Sequence, residues 1–367
     1  MFGWGQRPRR VNLALQGGGA HGAFTWGVLD ALLEEPRFEP AWISGTSAGA
    51  INAVALASGL AKGGREDARA TLRSVWTAVG EAGVPDLLKL NPFLFGISRS
   101  RAMGQVASLF SPSEFNPLRF DPLRKLLLDH IDFDRLRGAD GPELLIAATD
   151  VATARGRIFR RRELTVEAVL ASTCLPTLHH AVIVDGRAYW DGGFSANPDL
   201  LTIAAESPIE DTLLVLLNPV EHPSLPRSAR EISAEVSRVT FTQPLLRDIS
   251  EIVALQTENP PKRFGRRTRA RAVGRHRFHL VEAGRHTGAL SPDSKLHPDK
   301  AVLALLHNAG RDEARKWLGR SLDHVGKRST LDLGTHFLGA LSPLTTVAPE
   351  PEDSDDETQS PVPSPNL

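Results

Sequence analysis

Short apolar runs that end in glycine, each followed by apolar residues at helical spacing, fill the first 60 positions and predict alternating strands and helices. Residues 11–16 read as a strand that Gly17, Gly18 and Gly19 break. From residue 20 to 34, Ala20, Ala23, Phe24, Gly27, Val28, Ala31 and Leu32 fall on one helical face ahead of Pro36. Residues 42–44 form a shorter strand, an Ala-rich helix spans 50–61, and an amphipathic helix spans 65–79. The pattern loosens over 84–120, where Pro, Gly and Ser punctuate Leu87, Phe93, Phe95, Phe110 and Phe115. Asp121-Pro122 then opens a helix to residue 128, and 144–149 is a continuous apolar run of the buried parallel type. Strands at 182–184 and 187–190 flank Asp185-Gly186, a pair suited to the positive φ angles of a type I′ hairpin, and 213–217 is another buried strand. Beyond Ser228 the chain reads as mostly helical, interrupted at Pro244 and by a basic stretch. A strand-like piece follows at 277–281, with helices starting at Asp299 and Asp312.

This order of elements predicts an α/β fold with a mainly parallel central sheet covered by helices. Four parts are expected: an N-terminal segment (1–10), a catalytic domain (11–217) with an irregular apolar, lid-like insertion at 84–120, a mostly helical C-terminal region (218–347), and a disordered acidic Pro/Ser tail (348–367). The 367 residues carry 43 Lys plus Arg against 43 Asp plus Glu, a balance that disfavours a general nucleic-acid binder. Cys174 is the single cysteine, so no intramolecular disulfide is possible. No window approaches the roughly 18 uninterrupted apolar residues of a membrane-spanning helix, and the first ten residues lack the apolar region of a signal peptide. The expected location is cytoplasmic, with any membrane contact peripheral. Residues 262–277 hold eight Lys or Arg and no acid, which would favour an anionic lipid surface; a solvated loop is the competing reading. Arg160, Arg161 and Arg162 form a smaller patch expected to be solvated. The sequence assigns no oligomeric state.

Gly45-Thr46-Ser47-Ala48-Gly49 matches GxSxG, in which a tight strand-to-helix turn lifts the serine out of the sheet and glycines relieve the crowding. Ser47 is the candidate nucleophile, with Gly45 and Gly49 forming its elbow. The run Gly17-Gly18-Gly19-Ala20-His21-Gly22 lies between strand and helix, where backbone amides can converge on an anion, as an oxyanion hole requires. The same six residues satisfy the dinucleotide fingerprint GxGxxG. That reading needs an acid closing the second strand, where GxSxG stands instead, and Glu39 precedes that strand. Asp191, in Asp191-Gly192-Gly193, emerges at a strand end and is the candidate base; an ordinary surface turn is the alternative for those three residues.

Taken together, a GGGxxG loop, a GxSxG elbow close behind it and a downstream DGG resemble the patatin-like phospholipase family. The resemblance spans about residues 11–217 and includes Ala171-Ser172-Thr173-Cys174-Leu175-Pro176 and Asn197-Pro198. It implies a Ser47–Asp191 dyad, an acyl-enzyme, an oxyanion hole around Gly17, Gly18 and Gly19, no metal or cofactor, and phospholipids or related lipid esters as substrates. An intracellular polyester or thioester hydrolase with the same dyad is the alternative. Cys174 stands where the family usually has a small residue and reads as packing. An α/β-hydrolase triad would draw its base from His279, His286 or His297, but the elbow follows only two strands. His21 is expected to line the site from the first turn of its helix.

Overall fold

Arg9–Leu15 forms β1, and its residues from Val11 onward are buried, as a run without polar alternation requires of a strand covered on both faces. The computed structural model describes residues 8–89, 121–138, 140–219, 225–258, 268–288, 290, 292–295 and 298–339. After β1 come a 3-10 turn at Gly19–His21, α1 (Gly22–Glu34), β2 (Phe38–Gly45), α2 (Ala48–Gly63) and α3 (Arg65–Lys89). The chain continues with α4 (Pro122–His130), α5 (Phe133–Gly138), β3 (Glu143–Asp150), β4 (Gly156–Arg160), α6 (Val166–Ser172), β5 (Val182–Val184) and β6 (Arg187–Asp191). Then follow α7 (Leu200–Glu206), β7 (Asp211–Leu216), α8 (Ala229–Glu258), α9 (Arg269–Arg275), β8 (Arg277–Glu282), α10 (Gly284–Thr287) and α11 (Lys300–Ser321).

The strands form one mixed sheet in the order β5-β6-β3-β2-β1-β7-β8, with β4 also on β3. β3, β2, β1, β7 and β8 run parallel, while β4 and β6 pair antiparallel with β3. Helices on one face bury Phe24, Leu32, Leu56 and Leu72 against Leu13, Leu15 and Ile43; on the other, Leu245, Ile249 and Ile252 of α8 cover Ala14, Leu214 and Leu216. Asp185 (φ 49°) and Gly186 (φ 76°) make the β5–β6 hairpin with the positive angles expected of that pair.

Several expectations are corrected. The stretch from Val84 does not loosen at once, because α3 continues to Lys89; residues 90–120, where the insertion was expected, lie outside the described residues, as does the tail at 348–367. Pro244 does not interrupt the helix. It sits inside α8, where the burial of Leu245, Ile249 and Ile252 outweighs the missing backbone hydrogen bond. Asp312 starts no helix, since α11 runs unbroken through it from its cap at Asp299. Arg160 and Arg161 are not simply solvated: Arg160 pairs with Glu206 at 2.7 Å, and Arg161 approaches Glu143 at 3.9 Å. β4 and α7 were not anticipated.

The C-terminal region is built into this core. β8 adds a strand beside β7, and α11 crosses α1 so closely that a Cβ on Gly27 would strike the His307 carbonyl and one on Gly310 the Phe24 carbonyl. Asp30 of α1 fastens the crossing: Arg69 Nε of α3 donates to it at 2.7 Å, and Arg311 pairs with it. Burial alone would raise this carboxylate, but His307, Arg69 and Arg311 hold it well below the usual range. Gly310→Val should therefore separate the two helices and lower stability by about 1–3 kcal/mol or more, read from the midpoint of urea unfolding.

Candidate active site

Two strand ends deliver the candidate loops. Leu15 pairs with Gly45 at the carboxyl ends of β1 and β2, so the glycine loop and the GxSxG elbow leave the sheet side by side. Register carries the third part to the same edge, because Gly45 pairs with Ile146 of β3 and Ala148, two residues on, pairs with Asp191.

Ser47 has φ 55° and ψ −121°, a conformation that costs a residue with a side chain about 1–3 kcal/mol and that the surrounding contacts enforce. A Cβ at Gly49 would strike the Leu15 carbonyl, and one at Gly45 would lie 2.6 Å from the Gly49 carbonyl, so the turn closes only with glycine at both positions. Ser47 is half-buried among buried neighbours, which leaves its side chain reachable. Its amide donates to Ser172 Oγ at 3.0 Å, and the Thr46 hydroxyl donates to the Ala196 carbonyl at 2.8 Å.

The glycine loop lies against this elbow: a Cβ on Gly17 would sit 2.8 Å from Ser47 Cβ. Gly17 donates its amide to Asn197 Oδ1 at 2.8 Å, so that N–H is committed to holding the loop. Gly19 takes φ 57°, and among the described residues the amides of Gly18 and Gly19 donate to no protein acceptor. Asn197, 1% exposed, also donates from Nδ2 to the Phe241 carbonyl at 3.0 Å, linking the glycine loop to α8.

Asp191 is 1% exposed. Its amide donates to the Cys174 carbonyl at 2.8 Å, its carbonyl accepts from Thr149 Oγ1 at 2.8 Å, and its Oδ1 accepts from the Gly193 amide at 2.7 Å. Gly192 lies flat on the Ala147 carbonyl, and the Phe241 ring fills the space a Gly193 side chain would need. Among the described residues Oδ2 is buried without a hydrogen-bond partner. Burial pushes this carboxyl up to about 7, opposed by the Gly193 amide and by the nearby Ser47 hydroxyl.

The rival assignments separate on contacts. His279 is fully buried, with Nε2 3.2 Å from Asp211 Oδ1 and Nδ1 2.8 Å from Thr330 Oγ1; Asp211 lies at the start of β7, the edge of the sheet opposite Ser47. His286 pairs with Glu313, and His297 lies outside the described residues. Cys174 is buried, its thiol is pushed up to about 12 by burial, and its Sγ donates to the His180 carbonyl, all consistent with packing. His21 is 2% exposed, with Nε2 2.7 Å from Ser294 Oγ; burial, then the charge of Lys295, lowers it to about 4, so the ring is neutral. Glu39 pairs with Arg10 at the entry of β2, far from the glycine loop, which removes the acid a dinucleotide site would need. Among the described residues no cluster of three metal-ligating side chains occurs. Ser172, Asn197 and Thr149 were not singled out as site residues, since their parts in it depend on contacts 125, 180 and 42 residues distant along the chain.

Among solved structures the chain is similar to VipD from Legionella pneumophila, at 15% identity and a TM-score of 0.42, covering 87% of this chain and 67% of that one. It is also similar to a chain of the SpcU–ExoU complex from the type III secretion system of Pseudomonas aeruginosa, at 15% identity and a TM-score of 0.33, covering 86% of this chain and 53% of that one. The chain thus spans about two thirds of the first and about half of the second. No curated protein matches it. The family profile described as patatin-like phospholipase matches residues 13–204, more than half of the sequence, from β1 into α7. The chain belongs to the patatin-like phospholipase family and is accordingly a hydrolase.

Proposed function

We propose that the chain hydrolyses acyl esters of phospholipids or related lipids through Ser47 and Asp191. The observation that carries this reading is a reachable serine at positive φ beside a fully buried carboxylate whose Oδ2, among the described residues, has no other partner. Ser47 Oγ attacks the ester carbonyl carbon while Asp191 accepts its proton, and the amides of Gly18 and Gly19 hold the oxyanion. The proton passes to the departing alcohol, leaving the acyl group on Ser47. Asp191 then takes a proton from water, whose hydroxide attacks the acyl carbon, and the acid leaves as Ser47 recovers its proton.

Burial suits Asp191 to this work. A carboxylate in water is too weak a base for a hydroxyl, whereas one held out of water binds a proton more strongly. Each oxyanion donor is worth roughly a hundred- to thousandfold in turnover, and the amides of Gly18 and Gly19, which among the described residues donate to no protein acceptor, are the candidates for that role. An apolar substrate fits the surroundings: α8, which carries Phe241 onto Gly193, exposes Ile232, Val236 and Val239 on one face farther along. Among the described residues no helix is long and apolar enough to cross a membrane. Within the basic stretch Arg275 pairs with Glu210 and Arg277 with Asp211, so these two cations serve the sheet edge.

Ser47→Ala should lower hydrolysis of a phospholipid and of a soluble ester by about a thousandfold or more and abolish labelling by a fluorophosphonate probe. Labelling that survives in this variant would place the reactive group elsewhere. Because Asp191 must be ionised to accept a proton, kcat/KM should fall about tenfold per unit below a midpoint near 7, and a flat profile between about pH 5.5 and 8 would remove it as the base. The same shift enters stability. The unfolded chain gives up this proton near pH 4 and the folded one at about 7, so the contribution of this group is lost as pH rises through that window. Asp191→Asn should therefore gain stability relative to the wild type between about pH 5 and 8 in urea unfolding, while losing turnover.

A further inference from the structure

The end of α6 touches both members of the proposed dyad. Ser172 Oγ accepts the Ser47 amide at 3.0 Å, and two residues on, the Cys174 carbonyl accepts the Asp191 amide at 2.8 Å. Nucleophile and base are thus both referred to one short stretch of chain, and that stretch is itself held fast. Thr165 caps the start of α6, Glu167 pairs with Arg124 of α4 at 2.6 Å, and Ala168, Val169 and Leu170 are buried in the core. Ser172 is fully buried, and among the described residues the bond from Ser47 is the only one its hydroxyl makes. The next hydroxyl is used differently: Thr173 Oγ1 donates back to the Val169 and Leu170 carbonyls and so serves the helix. The Ser172 hydroxyl holds the elbow and not α6.

What that bond fixes is the peptide plane between Thr46 and Ser47. The carbonyl end of this plane accepts the Gly49 amide at 2.8 Å, and its N–H end is the donor to Ser172. A peptide is planar, so one held at both ends cannot turn, and a turn of this one would swing the Ser47 side chain with it. At φ 55° and ψ −121° Ser47 sits in a sparsely populated conformation, which persists only where the surroundings over-determine it. Gly45 and Gly49 make room for the turn, whereas the hydrogen bond to Ser172 sets the direction of the amide. We propose that Ser172 is a positioning residue for the hydrolytic reaction: by accepting the Ser47 amide it aims Oγ at Asp191, whose own backbone is bound to Cys174. The inference rests on the serine-hydrolase reading and adds to it the group that orients the nucleophile. A misplacement of reacting atoms by about 1 Å costs roughly a hundredfold in rate, so the loss of one orienting bond is large enough to measure.

The test uses the full chain with a soluble p-nitrophenyl ester and a fluorophosphonate probe. In Ser172→Ala, kcat/KM for the ester and the rate of probe labelling should both fall about tenfold to a hundredfold. The midpoint of the pH profile should stay near 7, since the burial of Asp191 is unaltered. Ser172→Thr, which keeps the oxygen, should restore most of both rates, and Ser172→Cys, a weaker acceptor, should fall between. Ser44→Ala is the matched control: this hydroxyl is also fully buried, lies on β2 three residues before Ser47 and, among the described residues, has no hydrogen-bond partner, so its removal should leave both rates unchanged. Thermal melting checks that each variant is folded, and Ser172→Cys carries the comparison should Ser172→Ala not fold. Wild-type rates in a folded Ser172→Ala would overturn the proposal, as would a folded Ser172→Thr no faster than Ser172→Ala. An equal loss in Ser44→Ala or a moved pH midpoint would overturn it too, because the first marks a general disturbance of the core and the second an effect on Asp191. Ser47→Ala separates the two ideas: labelling that survives in it defeats the serine reading, whereas labelling lost there and unmoved in Ser172→Ala defeats only the positioning role.

Discussion

A carboxylate kept out of water at the end of β6 is the feature on which the rest of the site depends. Leaving Asp191 without a salt-bridge partner is costly, and the fold sustains it by fixing every neighbouring backbone group. The amide and carbonyl of Asp191 are bound to Cys174 and Thr149, Gly192 lies against β3, and the Gly193 amide holds Oδ1. The other oxygen is left for a proton. The same set of contacts excludes larger side chains from the DGG turn, so the geometry and the basicity of this group share one cause, which is close packing against the sheet.

The other buried acids show what this one avoids. Asp30 and Asp211 are also buried, yet arginines and histidines surround them and hold both well below the usual carboxylate range; they stitch α1 to α3 and α11, and β7 to β8 and the Gly326 turn. Asp199 and Asp248 are raised by burial, as Asp191 is, but their oxygens cap the start of α7. A raised carboxyl alone therefore does not set Asp191 apart from them. The distinction is an unpartnered oxygen next to a serine in a strained turn.

Asn197 explains how the three loops stay in register. With one amide group it accepts from Gly17 and donates to the Phe241 carbonyl, so the glycine loop is tied to α8, the helix that seals the DGG turn. α8 and the turn at Ser294 and Lys295 lie beyond the stretch matched by the family, yet both press on its loops. The C-terminal region is thus part of the site's wall as well as of the sheet, through β8, and of the helical layer, through α11.

Local chemistry made much of this legible in the chain itself. Glycines at 17–19, 45, 49, 192 and 193 stand where only a missing side chain permits the turn or the contact, and apolar runs at 11–16, 144–149 and 213–217 could only be buried strands. These signals work because each depends on neighbours a few residues away. The extent of α3, the persistence of α8 through Pro244 and the existence of β4 were not legible, since in each case packing against distant elements outweighs the local preference. The meeting of Ser47 with Asp191, the commitment of the Gly17 amide to Asn197 and the approach of Lys295 to Gly19 were decided by tertiary structure alone. They join residues as far as 276 positions apart, and what brings them together is the register of β2 on β3 and β3 on β6 and the docking of α8 and α11, which no short-range pattern encodes.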